Sequence, residues 1–312
     1  MNAPGRVCPL RYRYGPAAIA QAPERQAETL YVIGGLYGNL RALAAVEAMA
    51  GAEAGPVTLC FNGDFNWFNV DDAGFRAINQ GVLRHDAILG NVEAELGEET
   101  AAAGCGCAYP ESVDQRVVER SNEIHARLKR TAWRHPDLLA GLLALPMVAR
   151  YRVGDARVGV VHGDADALAG WRFDAAALDE PALQTWRAAA FAQADVDVFA
   201  STHTCLPAAR GYDFGGLKLV ANNGAAGMPN VQGGQFGMLT RIAPRPAPHS
   251  LYGHSVQGVQ VDALAIHYDH AAWQRDFLNN WPEGSPDWLS YFARIANGPD
   301  YRLQAAADLA PA

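Results

Sequence analysis

Six short loops, each placed directly after a run of β-forming residues, constrain this chain more than any other feature. In order they read GGLYGN (34–39), NGDFNW (62–67), GNVE (90–93), VHGD (161–164), THTCLP (202–207) and NNGAAGMP (222–229). A strand that ends in a glycine turn and hands over to a helix is the building unit of an open α/β sheet. Such sheets gather ligand-binding residues just beyond their strand ends. The first unit is a strand over 29–33 (TLYVI), the glycine loop, then LRALAAVEAMA with apolar residues at helical spacing and Asn39 placed as N-cap. A strand over 57–62 with a helix over 72–83 repeats the unit, and a short strand over 87–89 follows. Strands alternating with helices predict a largely parallel sheet with right-handed crossovers.

From about 96 to 145 the sheet pattern stops. A Gly/Cys loop leads into an amphipathic helix over 113–131 and a shorter one over 136–144. This inserted segment either covers the strand ends as a lid or packs as a plain helix pair. Strands over 148–153 and 156–161 then flank Gly154-Asp155, a hairpin signal. A helical stretch over 174–192 and a strand over 196–200 follow, and runs near 217–221, 236–242 and 259–268 read as an antiparallel meander. Amphipathic helices near 270–278 and 286–295 close the chain. The expected organisation is one compact domain over 29–269, an N-terminal surface extension over 1–28 and a helical C-terminal extension over 270–312 packed on the same domain.

Half of the 312 residues are apolar and 19% are charged, enough for a sizeable core. Hydrophobic runs stay short of the roughly 18 residues a membrane span needs. Residues 1–28 hold no apolar stretch of the secretory kind, so the chain reads as cytoplasmic. A net charge of −8 argues against nucleic-acid backbones as partners, while leaving room for a small phosphorylated substrate. Homo-oligomerisation stays open. The five cysteines, Cys8, Cys60, Cys105, Cys107 and Cys205, are odd in number and scattered, unlike a disulfide framework. Cys60 reads as core. Cys105 and Cys107 are too close in sequence for a relaxed disulfide with each other and read as buried thiols, with a metal or redox pair as the alternative.

Asp64, Asn91, His162 and His203 each follow a strand directly. A lone histidine reads as a satisfied buried side chain. One carboxylate, one amide oxygen and two imidazoles at four successive strand ends suit a borderline divalent metal such as Mn, Fe or Zn.

The ordered set resembles the blocks D-x-H-G-N, G-D, G-N-H-[DE], H-G and G-H-T-H-x-P of calcineurin-like metallophosphoesterases, from about Tyr31 to Tyr268. NNGAAGMPN is similar to the N-x-G-S-x-G-x-P turn of that family. The resemblance implies an α/β fold, a four-layer α/β/β/α sandwich with a helical insertion, and a metal-dependent hydrolase of small phosphomonoesters or phosphodiesters. The departures carry the information. Gly35 and Tyr37 stand where the family has its first Asp and His, Val92 replaces the histidine of G-N-H-[DE], and Cys205 replaces the second histidine of G-H-T-H. In the family, those first Asp and His residues and the last His belong to one metal alone. The other metal takes the positions of Asp64, Asn91, His162 and His203, all retained here. The resemblance therefore implies one divalent metal rather than two.

Val92 also removes the family's proton donor to the leaving group. Asp64, Asn91 and His162 are the expected catalytic residues, joined by Tyr37, which either donates a proton from the vacated site or fills its space. Asn39 and Trp67 are the expected substrate contacts, although an N-cap explains Asn39 and packing explains Trp67 equally well. Cys205 with Cys105 or Cys107 opens a sulfur-rich site as a further option. Glu93 is placed to orient a ligand or bind water, and Asp164 and Asp166 to accept from the outer nitrogen of His162. His267 and His270 read as surface or packing residues. The alternative function is a catalytically inactive relative that binds a phosphorylated ligand or partner.

Overall fold

The run at 29–33 is apolar on both faces, and its two faces end in different cores. Leu30 and Val32 pack with Tyr151, Val158, Val160, Val198 and Leu219, whereas Tyr31 and Ile33 pack with Leu43, Val46, Phe75 and Ile78. This is the period-two alternation of a strand with a sheet on one side and helices on the other. A third cluster places Val161, Phe199 and Val220 against Phe173, Phe191 and Ile19. The layers are therefore helix, sheet, sheet, helix, the sandwich expected from sequence.

The computed structural model describes residues 3–100 and 102–307, so positions 1–2, 101 and 308–312 of the expected extensions and insertion lie outside it. The described strands are β1 (Glu24–Gln26), β2 (Thr29–Ile33), β3 (Val57–Phe61), β4 (Asp86–Ala87), β5 (Val148–Val153), β6 (Ala156–Val161), β7 (Val198–Ser201), β8 (Pro207–Asp213), β9 (Leu217–Asn223), β10 (Gly237–Ala243), β11 (Tyr252–Val256) and β12 (Val259–Ile266). They form two six-stranded sheets, ordered β1-β5-β6-β7-β9-β8 and β11-β12-β10-β2-β3-β4. Within them β2 and β3 run parallel, as do β6, β7 and β9. A bridge between Gly35 and Ala225 and a hydrogen bond from Asn223 Nδ2 to Val32 O (3.1 Å) join the sheets where these strands end.

Several expectations change. The helix expected over 174–192 is divided into Ala175–Leu178, a 3₁₀ turn at Pro181–Leu183 and Gln184–Ala194. Pro181 has no N–H to continue the ladder. Residues 3–28 are more than a surface extension: Tyr12 and Ile19 are fully buried, and β1 adds an edge strand beside β5. Arg150 and Arg152 pair with Glu24 there, which lets a charged segment join the sheet. The insertion forms the helices Gln115–Ala132 and Pro136–Leu143, which bury Ile124, Leu128, Leu138 and Leu142. None of the described helices is long and apolar enough to cross a membrane.

The turn that links the sheets depends on Asn230. Its fully buried amide accepts from Ala225 N (2.8 Å) and donates to Ala225 O (2.7 Å) and Met228 O (3.0 Å). Asn230→Ala strands these groups and is expected to lower unfolding free energy by about 3 kcal/mol. Urea denaturation with an unchanged m-value checks this.

Candidate metal centre

Asp64 follows β3 in a left-handed conformation, φ 56°. Glu93 holds it there. Its carboxylate accepts from Asp64 N (2.8 Å), Asn66 N (3.2 Å) and Asn66 Nδ2 (3.2 Å). Burial, and then the charge of Asp64, push the Glu93 pKa up to about 7. Asp64 Oδ1 accepts from Val92 N at 3.2 Å. Asn91 opens the short helix Asn91–Ala94, while His162 and His203 follow β6 and β7.

The hydrogen-bond partners fix which atoms face inward. His162 Nδ1 lies 2.7 Å from Asn62 O and His203 Nε2 lies 3.1 Å from Cys107 O. A carbonyl can only accept, so each of these nitrogens carries a hydrogen. Asn91 Nδ2 donates to Cys105 O at 3.0 Å, which turns Oδ1 the other way. The remaining atoms converge: His162 Nε2 is 3.1 Å from Asn91 Oδ1, 3.1 Å from His203 Nδ1 and 3.3 Å from Asp64 Oδ2. Ligand atoms of Asp64, His162 and His203 all lie within 4.8 Å of one another. Four lone-pair-bearing atoms packed this closely, with three of their side chains held from outside by backbone carbonyls, fit a divalent cation.

The alternative occupant is a proton. Burial opposes charge on His162, but Asp64 outweighs it and lifts the His162 pKa above its ordinary value. Burial likewise opposes ionisation of Asp64, and the charge of His162 more than compensates, holding its pKa low. His203 stays neutral, since burial and His162 drag it down to about 3. A metal entering here must therefore compete with a proton.

No model of a known protein family matches the chain, and no curated protein sequence matches it. Solved structures do. A metallophosphoesterase from Sphaerobacter thermophilus aligns over 88% of this chain and 100% of its own, with a TM-score of 0.55 at 19% identity. The chain has the fold of the calcineurin-like metallophosphoesterases. A hypothetical protein from Pyrococcus horikoshii OT3 aligns over 87% of this chain and 99% of its own, with a TM-score of 0.58 at 14% identity. At these identities the likeness is one of architecture.

In this metallophosphoesterase fold the positions of the absent ligands form one connected patch. Tyr37 OH lies 2.8 Å from Cys205 Sγ, and both residues have left-handed backbones (φ 52° and 63°). A Cβ on Gly35 would overlap the Tyr37 ring. Gly35 and Tyr37 are thus one steric unit, with the ring occupying the volume that a side chain at 35 would need. Burial, then Cys205 and Asp64, push the Tyr37 pKa far up, and burial raises that of Cys205. A neutral phenol facing a neutral thiol is a poor nest for a hard cation. The sulfur-rich alternative loses its other members, because Cys105 and Cys107 form a disulfide with each other. Their closeness in sequence, expected to be too tight for a relaxed bond, is met at Gly106 (φ 69°), where the turn holds the two Cα atoms 5.4 Å apart.

A cavity of 190 Å³ opens beside the ligands. Tyr37, Asp64, Trp67, Asn91 and His203 line it, as does Val92. Asn39 does not: its amide caps the helix Leu40–Gly51 through Arg41 N (3.1 Å) and Ala42 N (3.0 Å) and donates to Gly227 O (3.1 Å). The expected contact with substrate is therefore replaced by a structural tie. Asp164 and Asp166 also differ from expectation. Asp164 accepts from Asp166 N, Ala167 N and Arg172 N, and Asp166 bonds Arg172 and Trp186, leaving the outer nitrogen of His162 to Asn62 O. His270 bonds Gln274, and His267 packs on Phe236.

Sequence reading missed the opposite wall. Cys107 and Tyr109 come from the insertion, Trp171 from the stretch after β6, and Tyr291 and Arg294 from the C-terminal helices. Among the described residues, Arg294 is the only lysine or arginine lining the cavity. Its guanidinium is held by Pro229 O (3.0 Å) and Cys205 O (2.7 Å). Tyr291 and Arg294 stand three apart in a helical pattern, so sequence puts them on one face without saying what that face meets.

If Gly35 and Tyr37 are one unit, their substitutions must be non-additive. Gly35→Ala alone is expected to cost about 1–3 kcal/mol by overpacking. In a Tyr37→Ala background that cost should vanish, and a double-mutant cycle by chemical denaturation reads the coupling. Strict additivity contradicts the assignment.

Proposed function

We propose that the chain is a metal-dependent phosphoesterase that holds one divalent ion, Mn, Fe or Zn, through Asp64, Asn91, His162 and His203. The observation that carries this reading is the inward convergence of four lone-pair atoms whose side chains are fixed from outside. The bound ion supplies Lewis-acid polarisation of a phosphoryl oxygen and a nucleophile drawn from water. The substrate is a small phosphomonoester or phosphodiester, a size that suits the 190 Å³ cavity. The net charge of −8 disfavours a nucleic acid in that role.

Arg294 supplies positive charge on the side of the cavity where the other metal's ligands are replaced. Charge-assisted hydrogen bonds from a guanidinium suit phosphate oxygens. Trp67, Tyr109, Trp171 and Tyr291 offer planar walls to the rest of the ester. The missing part is a proton donor. Val92 has none to give, burial raises the Tyr37 and Tyr291 pKa values far above normal, and it pushes Tyr109 up to about 12. His125 does not substitute, since its Nε2 donates to Val92 O (3.0 Å) and burial lowers it to about 4. The leaving group therefore departs unprotonated, which favours phenols over alkyl alcohols. General acid help is typically worth roughly 10²–10⁴-fold, so aryl esters should outpace alkyl esters by about that factor. The same lack of an acid favours a second reading, a protein that binds a phosphorylated ligand without turnover.

Elemental analysis is expected to find one divalent metal per chain, and Asp64→Ala or His162→Ala to remove both the metal and aryl phosphate hydrolysis. Two metals per chain would overturn the mononuclear assignment, and a metal-loaded protein inert toward every aryl ester would leave the binding reading. Arg294→Ala should leave metal content intact and weaken competition by inorganic phosphate about 10–100-fold, the scale of a lost hydrogen bond to a charged group. Inhibition assays measure it.

A further inference from the structure

Two of the four ligands owe their orientation to a single short turn. Asn91 Nδ2 donates to Cys105 O (3.0 Å) and His203 Nε2 donates to Cys107 O (3.1 Å). The other two are set by backbone elsewhere, His162 by Asn62 O just past β3 and Asp64 by Val92 N in the helix Asn91–Ala94. The turn lies in a stretch without helix or strand between Asn91–Ala94 and Gln115–Ala132. Its backbone is held by Cys105 N to Asn122 Oδ1 (3.0 Å) and Gly106 N to Ala103 O (3.1 Å), with both cysteines buried. What closes it is the disulfide between Cys105 and Cys107. Cys107 also lines the cavity, and its carbonyl accepts a second bond from Trp171 Nε1 (2.9 Å).

We infer that the Cys105–Gly106–Cys107 disulfide turn is a positioning element that links metal affinity to redox state. This rests on the metal reading of Asp64, Asn91, His162 and His203. With the ring closed, the two carbonyls point at Asn91 and His203 and hold Oδ1 of one and the Nδ1 lone pair of the other toward the metal. With the ring open, the carbonyls are no longer fixed. The Asn91 amide can then rotate its NH₂ inward and His203 can carry its hydrogen on Nδ1, each removing a ligand atom.

The reductant is a dithiol. One of its thiolates attacks the sulfur of Cys107, the residue of the pair that lines the cavity, forming a mixed disulfide as the Cys105–Cys107 bond breaks and Cys105 Sγ leaves and takes a proton. The second thiol of the reductant then displaces Cys107, which leaves as a thiol, and the dithiol becomes a disulfide. Two electrons and two protons pass to the protein.

Mn(II) is the probe, because a hard cation gains little from the thiols that reduction releases. It is titrated into the oxidised protein, and into protein reduced with dithiothreitol and freed of reductant without air, with free Mn(II) read by electron paramagnetic resonance. Outer-shell partners of metal ligands are typically worth roughly 10–100-fold in affinity. Reduction should weaken binding by about that factor, and reoxidation should restore it, a reversal that general loss of structure would not give. Cys105→Ser/Cys107→Ser should match the reduced protein, ignore reductant and keep the native circular dichroism spectrum. Should that variant fail to fold, the reduction arm decides; should the native disulfide resist dithiothreitol, the variant decides. Equal Mn(II) affinity with and without the disulfide overturns the redox link alone. No Mn(II) binding in either state overturns the metal reading as well.

Discussion

Every backbone group at the shared edge of the two sheets needs a partner, and the loops there find it in one another. Buried N–H and C=O groups left alone are costly. Tyr37 N reaches Asp64 O, Thr202 N and His203 N both reach His162 O, and Gly35 O takes Ala226 N and Gly227 N. Thr202 Oγ1 closes onto Gly224 O at 2.6 Å, and Asn223 Nδ2 crosses to Val32 O. This mesh makes the loops a single body. Because the body is rigid, imidazole and amide hydrogens are committed to fixed carbonyls, and the lone pairs have one direction left. The convergence of Asp64, Asn91, His162 and His203 is a by-product of satisfying the backbone.

The same rigidity explains why the altered residues travel together. A ring at 37 forbids a side chain at 35, and the phenol must have a partner in a buried place, which the thiol at 205 provides. Three departures that look independent in sequence are one packing solution. Phe68 lies tilted against the Tyr37 ring, centroids 5.8 Å apart, and carries that solution into the helical layer. The patch of Gly35, Tyr37 and Cys205 is filled by a ring and a thiol, while the side bearing Asp64 and His162 keeps its polar geometry.

Strand-end chemistry was legible because period and placement announce it. Leu30 to Ile33 show their two-sided burial in the sequence, and Asp64, Asn91, His162 and His203 follow strands at loop positions. Features set by distant partners were not. Asn39 looks like a substrate contact until Gly227 is seen beside it. Glu24–Gln26 is too charged and too short to read as a strand before Arg150 and Arg152 arrive from far along the chain. The pairing of Cys105 with Cys107 was not legible from spacing, since sequence does not show the dihedral of Gly106. The aromatic wall was invisible for the same reason: Trp171 and Tyr291 are ordinary apolar residues until the fold brings them to one cavity.

The position of Arg294 has a consequence for how the site comes into being. All four ligands are encoded between residues 64 and 203, within the first two thirds of the chain, whereas the cavity's cation sits on the helix Ala293–Asn297. A chain emerging from the ribosome completes its ligand set long before that helix exists. The guanidinium contacts to Pro229 and Cys205 thus act as the last latch of assembly.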